Sequence, residues 1–180
     1  MPLKSNMAFY IVVKGKLTPF QFQYLDNKVT VRMEKTLIHG ETVAKKNIER
    51  SNDIFAIDIM TTKLVTLSPA ARIKDAEALM VKHKIHHIPL IIDTKLTGLI
   101  SKKDIAEGMI DFEKEIRLDK VMSKMILAAS ESTPLRHVAE VFLNENINSL
   151  PILDNDFLLT GIITHRDILR WLLDHQKFTK

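Results

Sequence analysis

With 180 residues, of which 46% are hydrophobic and 27% charged, the chain can bury a sizeable core and is globular rather than disordered. It has no apolar run near the roughly 20 residues that span a bilayer, and its lack of cysteine excludes disulfides, thiolate metal sites and a cysteine nucleophile. The net charge of +4 is uneven: residues 1–52 hold nine Lys or Arg against four Asp or Glu, the rest of the chain nets −1, and nucleic-acid binding by the main body has little electrostatic support.

Residues 1–52 read as a small β-rich extension. Met7 to Val13 is β-prone but too short to span a membrane and lacks a signal-peptide layout, which makes the cytoplasm the expected compartment. After the turn-like KGKLTP, strands are expected at Phe20 to Leu25 and Val29 to Met33, with a turn at Asp26-Asn27. Glu41 to Arg50 reads as a short polar helix or a linker. This extension is expected to pack against the main body or a second copy.

From Asp58 an internal repeat takes over. Met60 pairs with Met122 and Pro89 with Pro151 at an offset of 62; Gly98 pairs with Gly161 at 63, the extra residue falling in the Asp154-Asn155-Asp156 turn. The repeats are expected at residues 53–116 and 117–180. In the first, an extended segment at Leu64 to Leu67 leads to Ser68-Pro69, a helix-start signal, and then Ile73, Ala76, Leu79 and Met80 recur on one helical face. In the second, Thr133-Pro134 is followed by the stripe Leu135, Val138, Val141 and Phe142. Two strands follow in each, at Ile88 to Ile92 and Leu96 to Ile100, and at Leu150 to Leu153 and Leu158 to Ile163. Closing helices are expected from Lys102 to about Ile110 and from Arg166 to Leu173. The fold class is therefore α/β (α+β), two β-α-β-β-α units with pseudo-two-fold symmetry. Each unit leaves an apolar face that the other can cover.

The signature stretches are GLISKKD (Gly98 to Asp104) and GIITHRD (Gly161 to Asp167). Each reads as a strand running into a helix start, with Ser101 or Thr164 as N-cap and Asp104 or Asp167 closing a capping box. Free N–H groups at such a terminus also suit a phosphate. A single instance would be read as a plain cap; two at matching places in a repeat weigh more.

These residues resemble tandem cystathionine-β-synthase (CBS) domains, paired regulatory modules, from about Ile54 to Leu173. The matching features, in order, are the Asp58-Ile59-Met60 and Lys120-Val121-Met122 openings (the second departing at its first position), the amphipathic helix, the strand with a central proline, and the signature stretch. The resemblance implies a ligand between the repeats: AMP, ADP, ATP or S-adenosylmethionine. It implies Asp104 with Ser101, and Asp167 with Thr164, for ribose or phosphate. Lys102, Lys103, His165 and Arg166 would offset phosphate charge, and Thr62, Leu64 and Val65, or Lys124, Ile126 and Leu127, would lie against adenine. His86 and His87 fall where the family often supplies a phosphate contact, and the second repeat has Asn148 and Ser149 there, so two unequal clefts are expected. A homodimer, an unidentified effector protein and no catalytic cofactor are implied as well. The reading from a different class is an interaction module with vestigial clefts whose basic extension recruits a partner.

His83 and His87 would face one way on a continued helix, but no acidic residue accompanies them at ligand spacing, and they read as cap or cleft-edge residues rather than a metal site. Met80, Met109, Met122 and Met125 read as core filler. Trp171 fits either an interface or a core cover. With five glycines there is no Walker loop, no G-x-G-x-x-G and no G-x-S-x-G, so no enzymatic site is expected.

Overall fold

The structure, a computed structural model, describes residues 9–26, 54–108 and 115–175. Its first element is a hairpin of β1 (Phe9–Val13) and β2 (Lys16–Phe20). The turn is Lys14-Gly15, both at positive φ (50° and 76°), the two-residue geometry whose twist matches that of the flanking strands. The second strand thus falls on Lys16–Phe20 rather than at Phe20 to Leu25, and Gln23–Asp26 forms a helical turn, α1. Pro19 is tolerated because β2 is an edge strand. Val29 to Met33, Glu41 to Arg50 and most of the Asp26-Asn27 turn lie outside the described residues.

The first repeat supplies α2 (Ala56–Ile59), α3 (Ile73–His83), β3 (His87–Ile92), β4 (Lys95–Ser101) and α4 (Lys102–Gly108). The second supplies α5 (Leu118–Val121), β5 (Met125–Ser130), α6 (Leu135–Glu145), β6 (Ser149–Leu153), β7 (Leu159–Thr164) and α7 (His165–His175). The short helices α2 and α5 carry no periodic stripe and are not foreseen in the sequence. Leu64 to Leu67 contributes only an isolated parallel bridge from Leu67 to Leu90, whereas its counterpart β5 is a full strand. The difference lies in the edge partner: β1 pairs antiparallel along β5 from Met125 to Ala129, giving a sheet ordered β2-β1-β5-β6-β7. The β1–β2 hairpin of the N-terminal extension therefore packs against the second repeat.

Each repeat's opening crosses to the other repeat. Ala56 N–H donates to Thr133 O (2.8 Å), Leu135 N–H to Ile54 O (2.7 Å), and Thr61 and Ile162 exchange backbone bonds of 2.9 and 3.1 Å. In the reverse direction Leu118 N–H donates to Ala71 O (2.8 Å), and Leu99 and Ser123 exchange bonds of 3.2 and 2.9 Å. The cores follow the same exchange: Ala56, Ile59 and Met60 pack with Phe142, Leu150 and Ile163, while Leu118, Val121 and Met122 pack with Ile73, Ile88 and Ile100. The exchange accounts for the glycine of the signature. A Cβ on Gly161 would overlap Met60 Sδ and lie 2.7 Å from its Cγ; a Cβ on Gly98 would overlap Met122 Sδ.

One apolar expectation needs correction. Met125, at the start of β5 opposite Val13, is exposed, because core-facing positions of a strand alternate and Ile126 takes the inward one. Met109 lies outside the described residues.

Candidate functional site

The cap geometry is that read from the signature. Thr164 donates from its N–H (2.7 Å) and its hydroxyl (2.6 Å) to Asp167 Oδ2, and Ser101 makes the same pair of bonds, each 2.7 Å, to Asp104 Oδ2. One carboxylate oxygen of each aspartate is thereby committed to its own helix start. Asp167 Oδ1 accepts from the Thr61 hydroxyl of the first repeat at 3.2 Å. The spare capacity of that oxygen faces the space between the repeats.

That space is a cavity of about 320 Å³ lined by Thr61, Lys84, Ile85, His86, His87, Asn148, Ile162, Thr164, His165, Arg166 and Asp167. It joins a first-repeat wall to the N-terminus of α7, and six of the residues expected at a ligand converge on it: His86, His87, Thr164, His165, Arg166 and Asp167. A second cavity of about 510 Å³ shares Lys84, Ile85, His86 and Arg166 with it and is also lined by Lys102. Burial holds the His87 imidazole below its ordinary value; the charge of His86 acts the same way, Asp104 opposes, and His165 again lowers it.

The remaining candidates lie elsewhere. Ser101 and Asp104 bond each other at the start of α4. Thr62 and Lys124 are exposed, Leu64 is half-buried, and Val65 packs on the first repeat's core. Leu127 packs on the second repeat's core, and Ile126 is buried among Val12, Leu96, Ala128 and Leu153, so the adenine contact expected of Ile126 is closed off by β1. None of these lines the two cavities. Thr61, Lys84 and Ile162 line the cleft without having been foreseen. Thr61 could have been found from its place directly after Met60, where the second repeat has Ser123. His83 and His87 do not share a helix, since α3 ends at His83. Trp171 packs on the second repeat's core and also lines an apolar cleft of about 350 Å³ with Leu135 and Ile168.

Such an arrangement can accept hydrogen bonds from vicinal hydroxyls at Asp167 and balance an anion with helix N–H groups and cationic side chains. Residues 56–111 and 116–174 each match the family model for the CBS domain. The chain belongs to the CBS domain family. A CBS domain pair solved in complex with 5′-methylthioadenosine and S-adenosyl-L-methionine superposes at a TM-score of 0.64 with 27% identity, covering 69% of this chain and 99% of that one. CBSX2, solved in complex with AMP, gives 0.59 with 26% identity over 67% of this chain and 96% of that one. Among curated proteins, an L-aspartate semialdehyde sulfurtransferase of Methanocaldococcus jannaschii is 32% identical over 114 residues, 63% of this CBS chain but 22% of that protein. An uncharacterized protein of the same organism is 24% identical over 127 residues, and the match spans 45% of its length. The ligands held by the two solved structures are all adenosine derivatives. Among the described residues no helix is long and apolar enough to cross a membrane.

Proposed function

We propose that this CBS pair is a non-catalytic cytoplasmic sensor that binds an adenosine-type ligand, AMP, ADP, ATP or S-adenosylmethionine, in the Asp167 cleft and passes its occupancy to a partner protein. The observation that carries this reading is the cleft's composition from both repeats: Thr164 and Asp167 at the start of α7, faced by Thr61, His86 and His87 from the other repeat. The two solved relatives with adenosyl ligands support the ligand class. Asp104 with Ser101 forms the matching, unequal half-site. A ligand shifts such a module only by its differential affinity for two states. The state it shifts is a homodimer whose interface uses Val81 of α3 and Leu143 of α6, 74% and 82% exposed at equivalent places in the repeat, with Leu169 and Leu173 of α7.

Isothermal titration with the four ligands tests the reading. At least one is expected to bind, Asp167→Ala is expected to abolish the stronger event, and Asp104→Ala to spare it. Absence of binding by all four, or binding indifferent to Asp167→Ala, would defeat the assignment.

A further inference from the structure

We infer that Lys84 reads a phosphate group in the Asp167 cleft, so that the cleft selects phosphorylated adenosyl ligands over uncharged or cationic ones. The inference rests on the adenosyl reading above and adds which chemical class of that ligand fits.

Lys84 stands at the C-terminal end of α3 with φ 55° and ψ 41°, the left-handed conformation, and the following Ile85 N–H reaches back to Met80 O (3.0 Å). Helices end this way readily with glycine or asparagine, whose backbones enter that region at little cost; a lysine does so less favourably. The second repeat uses Asn146, also left-handed (φ 52°), at the equivalent place. The fold therefore requires the conformation and does not require lysine. Compensation of the helix dipole does not require it either, because Lys82 and His83 already occupy the last turn.

What distinguishes Lys84 from Asn146 is its surroundings. It lines both adjoining cavities, beside Arg166 and His86. In the first cavity Asp167 is the single carboxylate, and it already accepts three hydrogen bonds, from Thr164 N–H, the Thr164 hydroxyl and the Thr61 hydroxyl. Against it stand Lys84 and Arg166, neither with a carboxylate partner among the described residues, and the imidazoles of His86, His87 and His165. In the second cavity Lys102 is added opposite Glu77. A backbone strained to hold a cation at the junction of two cavities is a feature of a site rather than of a helix end. The positive balance suits a phosphate running from the ribose at Asp167 toward Lys84 and Arg166. S-adenosylmethionine carries a net positive charge, with a sulfonium and an ammonium against one carboxylate, and offers Lys84 and Arg166 only that single carboxylate in place of a phosphate.

Calorimetric titration of the full chain with AMP, adenosine and S-adenosylmethionine tests this. The parent is expected to bind AMP about tenfold or more tighter than adenosine, and tighter than S-adenosylmethionine. Lys84→Asn, which installs the second repeat's own residue, is expected to remove most of the advantage of AMP over adenosine and to melt no lower than the parent. Lys84→Arg is expected to keep the preference. Equal affinities for AMP and adenosine, preferential binding of S-adenosylmethionine, or a Lys84→Asn protein that melts lower while its AMP affinity is intact would overturn the inference. Failure of all three ligands to bind would remove the underlying adenosyl reading as well, whereas binding without phosphate preference would remove only the role of Lys84.

Discussion

A single methyl group placed on Gly161 tests the exchange of opening segments directly. Gly161 lies in β7 with an ordinary strand backbone, so alanine there carries no conformational penalty and gains about 0.5–1 kcal/mol over glycine in a strand. The opposing term is steric. The new Cβ would overlap Met60 Sδ and stand 2.7 Å from Cγ and 3.0 Å from Cβ, at the stem of a side chain anchored to its own backbone. Overpacking of this kind costs about 1–3 kcal/mol, so Gly161→Ala should lose about 1–2 kcal/mol net. At Gly98 the close atoms are Met122 Sδ, with Cε and Cγ at 3.3 Å, the mobile end of a thioether that can swing away. Gly98→Ala should therefore be near neutral. Urea unfolding of both variants measures the difference. A double-mutant cycle then identifies the partner: Met60→Ala, which deletes two of the three close atoms, should couple to Gly161→Ala by at least about 0.5 kcal/mol, and Met122→Ala should not. Equal losses at the two glycines, or coupling of Gly161 to Met122, would refute the crossed packing.

Acid should weaken the fold through His87. Its folded imidazole is held below the ordinary value of 6.5, so the unfolded chain binds the proton more readily; stability is full above about pH 6.5 and falls as pH drops through the lowered value. His87→Gln should flatten that part of a melting-temperature profile between pH 8 and 5, and an unchanged slope would refute the assignment to His87. Thr61→Val should cost about 0.5 kcal/mol in urea unfolding, because it removes the hydroxyl that donates to Asp167 Oδ1. Gly15→Ala, at φ 76° in the hairpin turn, should cost about 1–2 kcal/mol in the same assay. Leu143→Glu combined with Val81→Glu should shift the protein to the monomer volume in size-exclusion chromatography and leave its melting temperature unchanged, since both side chains are exposed.

The repeat, its helix stripes and its capping boxes were legible because each is a local pattern: an apolar period of 3.6, a proline in an apolar strand, a hydroxyl three residues before a carboxylate. The crossing of Met60 to Gly161 and Met122 to Gly98 was not. Each copy carries an equivalent methionine and glycine, so the pattern is the same whether a methionine packs within its repeat or across, and only the three-dimensional path of the chain decides. The second strand was misplaced because Phe20, Phe22 and Tyr24 alternate like strand residues. In the structure Phe20 closes β2, and Phe22 and Tyr24 beyond it use their apolar area in ring contacts: Phe22 lies 4.8 Å from Phe20, 5.1 Å from Tyr24 and 5.3 Å from Phe9. Ile126 was assigned to adenine because nothing in β5 itself announces that β1 will cover it. Lys84 was passed over because a left-handed backbone leaves no mark in a lysine; its counterpart Asn146, a residue suited to that region, was the available signal.

The crossed openings bear on how a bound ligand would act. The segment carrying Thr61 is tied to β7 by two backbone hydrogen bonds and to the start of α6 through Ala56 with Thr133 and Ile54 with Leu135. The opposite wall of the cleft, His86 and His87, leads straight into β3, and Lys102 N–H is held to His86 O (2.9 Å) at the start of α4. A ligand bridging Thr61, His86 and Asp167 therefore touches both repeats through elements that are themselves hydrogen-bonded, and it binds only where the two are assembled. Its binding free energy is added to that assembled state alone, about 2.7 kcal/mol at a concentration one hundred times Kd. The exposed faces of α3, α6 and α7 lie on elements joined to that cleft, the first through Lys84 at its end and the last through Asp167 at its start.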